Sequence, residues 1–133
     1  MFSLSRFAQI LNQRKMRQSN QRKSLLKALL FFQTLALVIY TVYAVKNESW
    51  GLIQVFTENV YSLNWNGQFN LDFSSYLTLS GLWIMWRNQW SLSSIIIAIT
   101  AMIIGIMAFA PYLFYLLTVE RGDLKKVLAG NRL

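Results

Sequence analysis

Residues 91–119 of this chain read SLSSIIIAITAMIIGIMAFAPYLFYLLTV, and none of these 29 side chains carries a charge. About 20 mainly apolar residues are enough to cross the hydrocarbon core of a bilayer as a helix, because each residue adds roughly 1.5 Å along the axis. The core helix of a soluble protein rarely extends so far without a polar stripe. The segment therefore predicts an integral membrane protein.

The rest of the sequence divides into apolar and basic segments. It predicts an all-α integral membrane protein with three transmembrane helices, an amphipathic interfacial helix and a basic N-terminal arm. The expected segments are the arm at 1–27, spans at 28–45, 69–86 and 92–119 within a membrane domain 28–119, an amphipathic segment at 50–64, and a basic tail at 120–133. The amphipathic segment is read from apolar residues spaced by 4, 4 and 3, with a tryptophan at each end, namely Leu52, Phe56, Val60 and Leu63 between Trp50 and Trp65.

The last two predicted spans are joined by about five residues and should form an antiparallel helical hairpin. As one helix, residues 92–119 would measure about 42 Å against a hydrocarbon core of about 30 Å. Pro111 offers a kink, because it removes the hydrogen bond to the Met107 carbonyl and its ring crowds the preceding turn.

The absence of two residue types limits the chemistry that the chain can perform. The sequence has 133 residues, a net charge of +8, and neither Cys nor His. This excludes disulfides, thiolate or imidazole metal sites, Fe–S clusters, His-ligated haem and nucleophiles activated by His. The five acidic residues lie outside the middle of the apolar runs. We expect no enzyme, no catalytic residue, no metal and no resident cofactor, although a larger complex could supply bound lipid, quinone or pigment.

The charges also predict an orientation. With three spans, the arm and the 87–91 loop place eight basic residues on one side, against five on the other, which favours a cytoplasmic N-terminus and a tail on the opposite side. A bacterial inner membrane or a photosynthetic membrane is expected. A mitochondrial inner membrane is the alternative, because the acid-poor arm resembles a transit peptide. Insertion of residues 51–66 as a fourth span would put both termini inside.

Two groups of residues are candidates for intermolecular contacts. Small residues let helices approach closely in lipid, and they form stripes on the second and third predicted spans. The helix-packing candidates are Ala98, Ala101, Gly105 and Ala108 with Ser74, Thr78 and Gly81. They are expected to close the hairpin, or alternatively to dock a partner subunit.

The second group is the basic arm, where each basic residue near an anionic membrane contributes roughly 1 kcal/mol of binding. The lipid-headgroup candidates are Arg6, Arg14, Lys15, Arg17, Arg22, Lys23 and Lys27. No aromatic residue lies between residues 8 and 30, so we expect no nucleic acid partner. Arg87, between tryptophans, is predicted to be an interfacial anchor.

Residues 51–115 resemble a family of small bacterial multi-span membrane proteins whose function is uncharacterised. The resemblance rests on the order of an amphipathic segment, an opening motif, a basic tryptophan-rich loop and a closing motif. These are Leu52-Ile53-Gln54-Val55-Phe56, Phe69-Asn70-Leu71-Asp72-Phe73, the loop around Arg87, and Ala110-Pro111-Tyr112-Leu113-Phe114-Tyr115. The resemblance implies the multi-span architecture and no particular activity.

These observations predict a small non-catalytic membrane subunit that assembles with and stabilises a larger bioenergetic or transport complex. Its expected partners are membrane lipids and larger membrane protein subunits. The alternative is an independent oligomeric carrier or channel for a small solute or ion, with the Ser and Thr residues of the second predicted span lining the path.

Overall fold

The structure, a computed structural model, describes residues 2–132, so that Met1 and Leu133, the ends of the predicted arm and tail, lie outside it. All regular elements in this part of the chain are helices, in agreement with the predicted all-α class. They are α1 (Phe2–Glu48), α2 (Leu52–Tyr61), α3 (Trp65–Arg87), α4 (Leu92–Ile104), α5 (Ile106–Val119), α6 (Leu124–Ala129) and a final 3₁₀ turn (Gly130–Arg132).

The predicted arm and the first predicted span form one continuous helix, α1. It has 47 residues and is therefore about 70 Å long. Among the described residues, α1 is the one helix both long and apolar enough to cross a bilayer, and only 6 % of its most apolar 18-residue window is buried. The structure thus contains one candidate span where the sequence predicts three, and the other two stay predictions.

The third predicted span is interrupted at Gly105. Gly105 has φ 73° and ψ −140°, a conformation that residues with a Cβ rarely adopt, and it separates α4 from α5. Pro111 lies inside α5 and does not end it. The break is therefore at Gly105 and not at the predicted position, because Pro111 keeps a helical φ and costs α5 one hydrogen bond, whereas Gly105 leaves the helical region altogether.

Beyond Gly105 the chain turns back. Gly105 itself lies beside the side chains of Phe73 and Leu77, in the middle of α3. The Tyr112 hydroxyl accepts a hydrogen bond from Asn88 Nδ2 at 2.7 Å, beyond the last residue of α3. Helix α5 therefore returns toward the end of α3 at which α4 begins. α1 packs on α5, and α3 packs on α4.

The bundle has two chemically different ends. The end of α3 that contains Arg87 is here termed the basic end. The opposite end, where α2 lies and α3 begins, is termed the far end, and Gly105 lies between the two. Along α1, Lys23 lies against Gly122 at the basic end, and Thr41 lies against Met107 close to the far end. Lys15 and Arg22 still line a cavity shared with the tail, and residues 6–14 of α1 are all exposed.

At the far end, α2 folds back on the beginning of α3. The Asn64 side chain caps α3 by accepting the Gly67 N–H at 3.0 Å. A Cβ on Gly67 would collide with the Asn59 carbonyl oxygen, so glycine permits this close approach of the two helices. The predicted amphipathic segment is thus a helix of ten residues, and it buries none of them.

The core of the bundle is small. One buried cluster joins α1, α5 and α6, a second joins α3 and α4, and Trp83 and Tyr112 pack against both. Among the described residues, eight apolar side chains are buried, and 41 large apolar side chains are exposed. Large exposed apolar patches mark contact with lipid or with another protein.

Candidate functional site at the basic end

Arg87, the last residue of α3, connects the bundle to the C-terminal tail. Its side chain is only 6 % exposed. Its Nε donates to the Val127 carbonyl at 2.6 Å, and Nη2 donates to the Lys126 carbonyl and to Glu120 Oε1, both at 3.2 Å. Its Nη1 donates to Asn88 Oδ1 at 3.0 Å. Arg87 is therefore a buried connection between α3 and the tail, and its role as an interfacial anchor stays a prediction.

The tail is folded because of two neighbouring residues. Gly122, at φ 71°, ends the preceding helix by donating its N–H to the Leu117 carbonyl at 2.8 Å. The Asp123 carboxylate caps α6 by accepting the N–H groups of Lys125 and Lys126. The predicted short basic tail is consequently a helix that returns to Arg87.

Tryptophans of α3 add further bonds to the tail. Trp83 Nε1 donates to the Leu128 carbonyl at 3.2 Å. Arg132 Nε donates to the Trp86 carbonyl at 2.8 Å, and its guanidinium lies 5.0 Å from the centroid of the Trp86 ring. Together with Arg87, these contacts hold both the beginning and the end of the tail against α3.

The charged residues are sorted between the two ends. Because α5 turns back, the arm, Arg87 and the tail lie at the same end, which contains twelve of the 13 basic residues and two of the five acidic ones. Lys46 and three acidic residues lie at the far end, so the net charge of +8 divides into +10 and −2. The structure places the tail beside the arm, whereas the charge count favoured opposite sides of a membrane for the two. The four-span alternative also predicted both termini on one side, but it did so by adding residues 51–66 as a span. In the structure the chain instead turns back at Gly105.

The predicted lipid-headgroup residues are spread along α1. Lys23 contacts Gly122, and the Lys27 ammonium lies 5.4 Å from the centroid of the Phe114 ring. Arg6 lies 21 residues before Lys27, which is about 32 Å along a helix. The structure therefore places Lys23 and Lys27 against the bundle. Lys15 and Arg22 line a cavity shared with Leu124 of the tail, and the other three of the seven lie on the exposed part of α1 (Arg6, Arg14 and Arg17).

The predicted helix-packing residues are placed in two ways. Ala98 and Ala101 are buried against Ile84, Ala108 packs against the same cluster, and a Cβ on Gly81 would collide with the Met102 side chain. Gly105 is buried at the break. Ser74 and Thr78 instead donate their hydroxyls to carbonyls of their own helix. The structure thus brings together Gly81, Ala98, Ala101 and Ala108, and it leaves Thr78 exposed.

A basic cleft separates the arm from the tail. It consists of two cavities of about 490 and 600 Å³ that share Ser19, Lys23 and Leu124. Its basic residues come from both elements: Lys15, Arg22 and Lys23 from α1, and Arg121, Lys125 and Lys126 from the tail. A contact between the tail residues and the arm was not predicted from the sequence. The dipeptide Gly122-Asp123 was the available signal, since Gly ends helices and Asp begins them.

A third cavity, of about 310 Å³, opens at the far end between α1, α2 and the break at Gly105, and its lining is mainly apolar. Within the part of the chain that the structure describes, no group of three His, Cys, Asp or Glu residues could hold a metal ion.

Comparison of the chain with models of protein families, with curated proteins and with solved structures finds no match. The resemblance to small bacterial multi-span membrane proteins therefore stays a prediction.

Proposed function

We propose that this chain is a small non-catalytic membrane subunit that assembles with and stabilises a larger membrane protein complex. The observation that carries the proposal is the apolar exterior, since 41 large apolar side chains are exposed among the described residues. Leaving apolar surface in water costs about 25 cal/mol for each Å². Lipid or another membrane protein is therefore needed to cover it.

The arrangement of charge supports a particular placement in the membrane. In the proposed orientation, residues 28–45 of α1 and residues 69–86 of α3 cross the bilayer. Helices α4 and α5, about 20 Å each, enter beside them from the basic end and return. The third predicted span is thereby replaced by a helical hairpin. Basic residues favour the cytoplasmic side, so both termini are proposed to be cytoplasmic in a bacterial inner membrane.

The hydroxyl groups favour the subunit over the carrier or channel. A polar path that donates hydrogen bonds to a solute would need side chains on α3 whose O–H groups are free. The four central hydroxyls instead donate to carbonyls three or four residues earlier in the same helix, at 2.7–2.9 Å, namely those of Ser74, Ser75, Thr78 and Ser80. The exposed side of α4 is apolar, with Ile96, Ile99 and Ile103 outward, and fits contact with a larger apolar partner.

Migration of the native protein tests the proposal. Membranes are washed with carbonate, solubilised in a mild detergent and separated on a native gel. The chain is expected to stay in the carbonate-washed membrane and to migrate in a large heteromeric complex. Migration as a discrete small oligomer of this chain alone would favour the carrier. Extraction by carbonate would contradict the membrane placement itself.

A further inference from the structure

The basic cleft has more positive charge than its own residues neutralise. Six basic side chains line it, together with two carboxylates, those of Glu120 and Asp123. Glu120 already accepts a hydrogen bond from Arg87, and Asp123 already caps α6. A concave surface lined mostly by one sign of charge concentrates the potential and attracts counter-ions. The cleft is therefore complementary to an anion of several oxygens.

An apolar groove follows the cleft along α1, toward the far end. It has a volume of about 180 Å³ between α1 and α5, and Phe114 is one of its lining residues. Lys27, whose ammonium lies over the Phe114 ring, is one helical turn from Lys23 in the cleft. A cationic surface that borders an apolar groove matches a ligand with an anionic head and a hydrocarbon chain.

We propose that the basic cleft binds the phosphate headgroup of an anionic phospholipid, with an acyl chain in the groove beside Phe114. The inference rests on the membrane placement proposed above, and it moves headgroup binding away from the outer arm. In this proposal the phosphate lies at Lys23, which lines both cavities, with Lys15 and Arg22 around it from α1 and Lys125 and Lys126 from the tail. Basic pockets between membrane helices on the cytoplasmic side recognise anionic lipids through the same chemistry.

The test compares two triple variants of the full chain with equal charge. The chain is purified in detergent, depleted of lipid and titrated with phosphatidylglycerol, and bound lipid is counted by native mass spectrometry. In the cleft variant, Arg22→Gln, Lys125→Gln and Lys126→Gln are combined. At roughly 1 kcal/mol for each basic residue, we expect its Kd to rise about 100-fold. In the control, Arg6→Gln, Arg14→Gln and Arg17→Gln are combined, and we expect a rise of less than about 3-fold.

Two control ligands show whether the cleft recognises an anionic lipid or any phosphate group, namely phosphatidylcholine and inorganic phosphate. Phosphatidylcholine is expected to bind far more weakly than phosphatidylglycerol, and millimolar phosphate is expected not to displace the lipid. Equal losses in the two variants, or displacement by phosphate, would overturn the inference. Circular dichroism of each variant shows whether it is folded. If the lipid result fails while the chain stays in carbonate-washed membranes and migrates in a large complex, the proposed function stands without the lipid site.

Discussion

Replacing Arg87 with Met is expected to release the C-terminal tail from the bundle. The substitution removes hydrogen bonds to the carbonyls of Val127 and Lys126 and leaves the Glu120 carboxylate without its partner. Loss of one member of a buried, hydrogen-bonded ion pair costs about 3 kcal/mol. Most of this cost comes here from the two carbonyls that lose their donor, because the Glu120 side chain is 26 % exposed and water can solvate its carboxylate. This is about a 100-fold increase in the fraction of molecules with an open tail.

Limited trypsin digestion in detergent measures the effect. Opening frees the backbone around Lys126 and Arg132 from its helical and hydrogen-bonded conformation, which a protease must unfold before cleavage, so the rate at which peptide 127–132 is released should rise about 100-fold. Cleavage after Arg14 in the exposed arm provides an internal control, and its rate should not change. Arg87→Lys keeps the charge but not the planar fork of donors, and its rate should be intermediate. An unchanged rate in Arg87→Met would show that the tail is held by other contacts.

Replacing Gly105 with Ala is expected to destabilise the bundle by about 2 kcal/mol. The reason is backbone strain, because φ at this residue is 73°. Space is not limiting, since the added Cβ would lie 3.6 Å from the side chains of Phe73 and Leu77, an ordinary contact distance. Unfolding by titration with a denaturing detergent, followed by circular dichroism, gives the change in the free energy of unfolding.

Two substitutions provide the comparison for Gly105→Ala. Gly51→Ala should have no cost, because Gly51 has φ −96° and a Cβ there would lie 3.7 Å from the nearest atom. Pro111→Ala restores an N–H that can bond to the Met107 carbonyl, and it should leave stability unchanged or raise it. If Pro111→Ala destabilises the bundle more than Gly105→Ala, the bend lies at the proline, as the sequence suggests.

The sequence was sufficient to predict the helical class and the approximate positions of most helices. Long apolar runs and the spacing of Leu52 and Phe56 depend on local periodicity, which a single sequence displays. The break at Gly105 was not predictable in the same way. A glycine in an apolar run is compatible with close packing of two helices, and equally with a positive φ that interrupts one helix. The choice between the two depends on the packing of Gly105 against α3, which the sequence does not display.

The candidate site was less accessible to sequence reasoning. Arg87 lies 33 residues before Glu120 and 40 before Val127, so no local pattern connects them. The tail was predicted only as a basic segment, without any contact to α3. The basic cleft could not be predicted either, because its two sides meet only when α5 turns back. That turn places Lys126 at the same end as Arg22.

Placement of both chain ends on one side of a membrane is tested most directly by cysteine labelling. The chain has no native Cys, so Ser19→Cys, Gln54→Cys and Leu128→Cys each provide one thiol, in the arm, in α2 and in the tail. In sealed right-side-out vesicles, a membrane-impermeant maleimide should label position 54 alone, and disruption of the vesicles should expose positions 19 and 128 together. Labelling that separates 19 from 128, or that reaches all three thiols in sealed vesicles, would contradict the account.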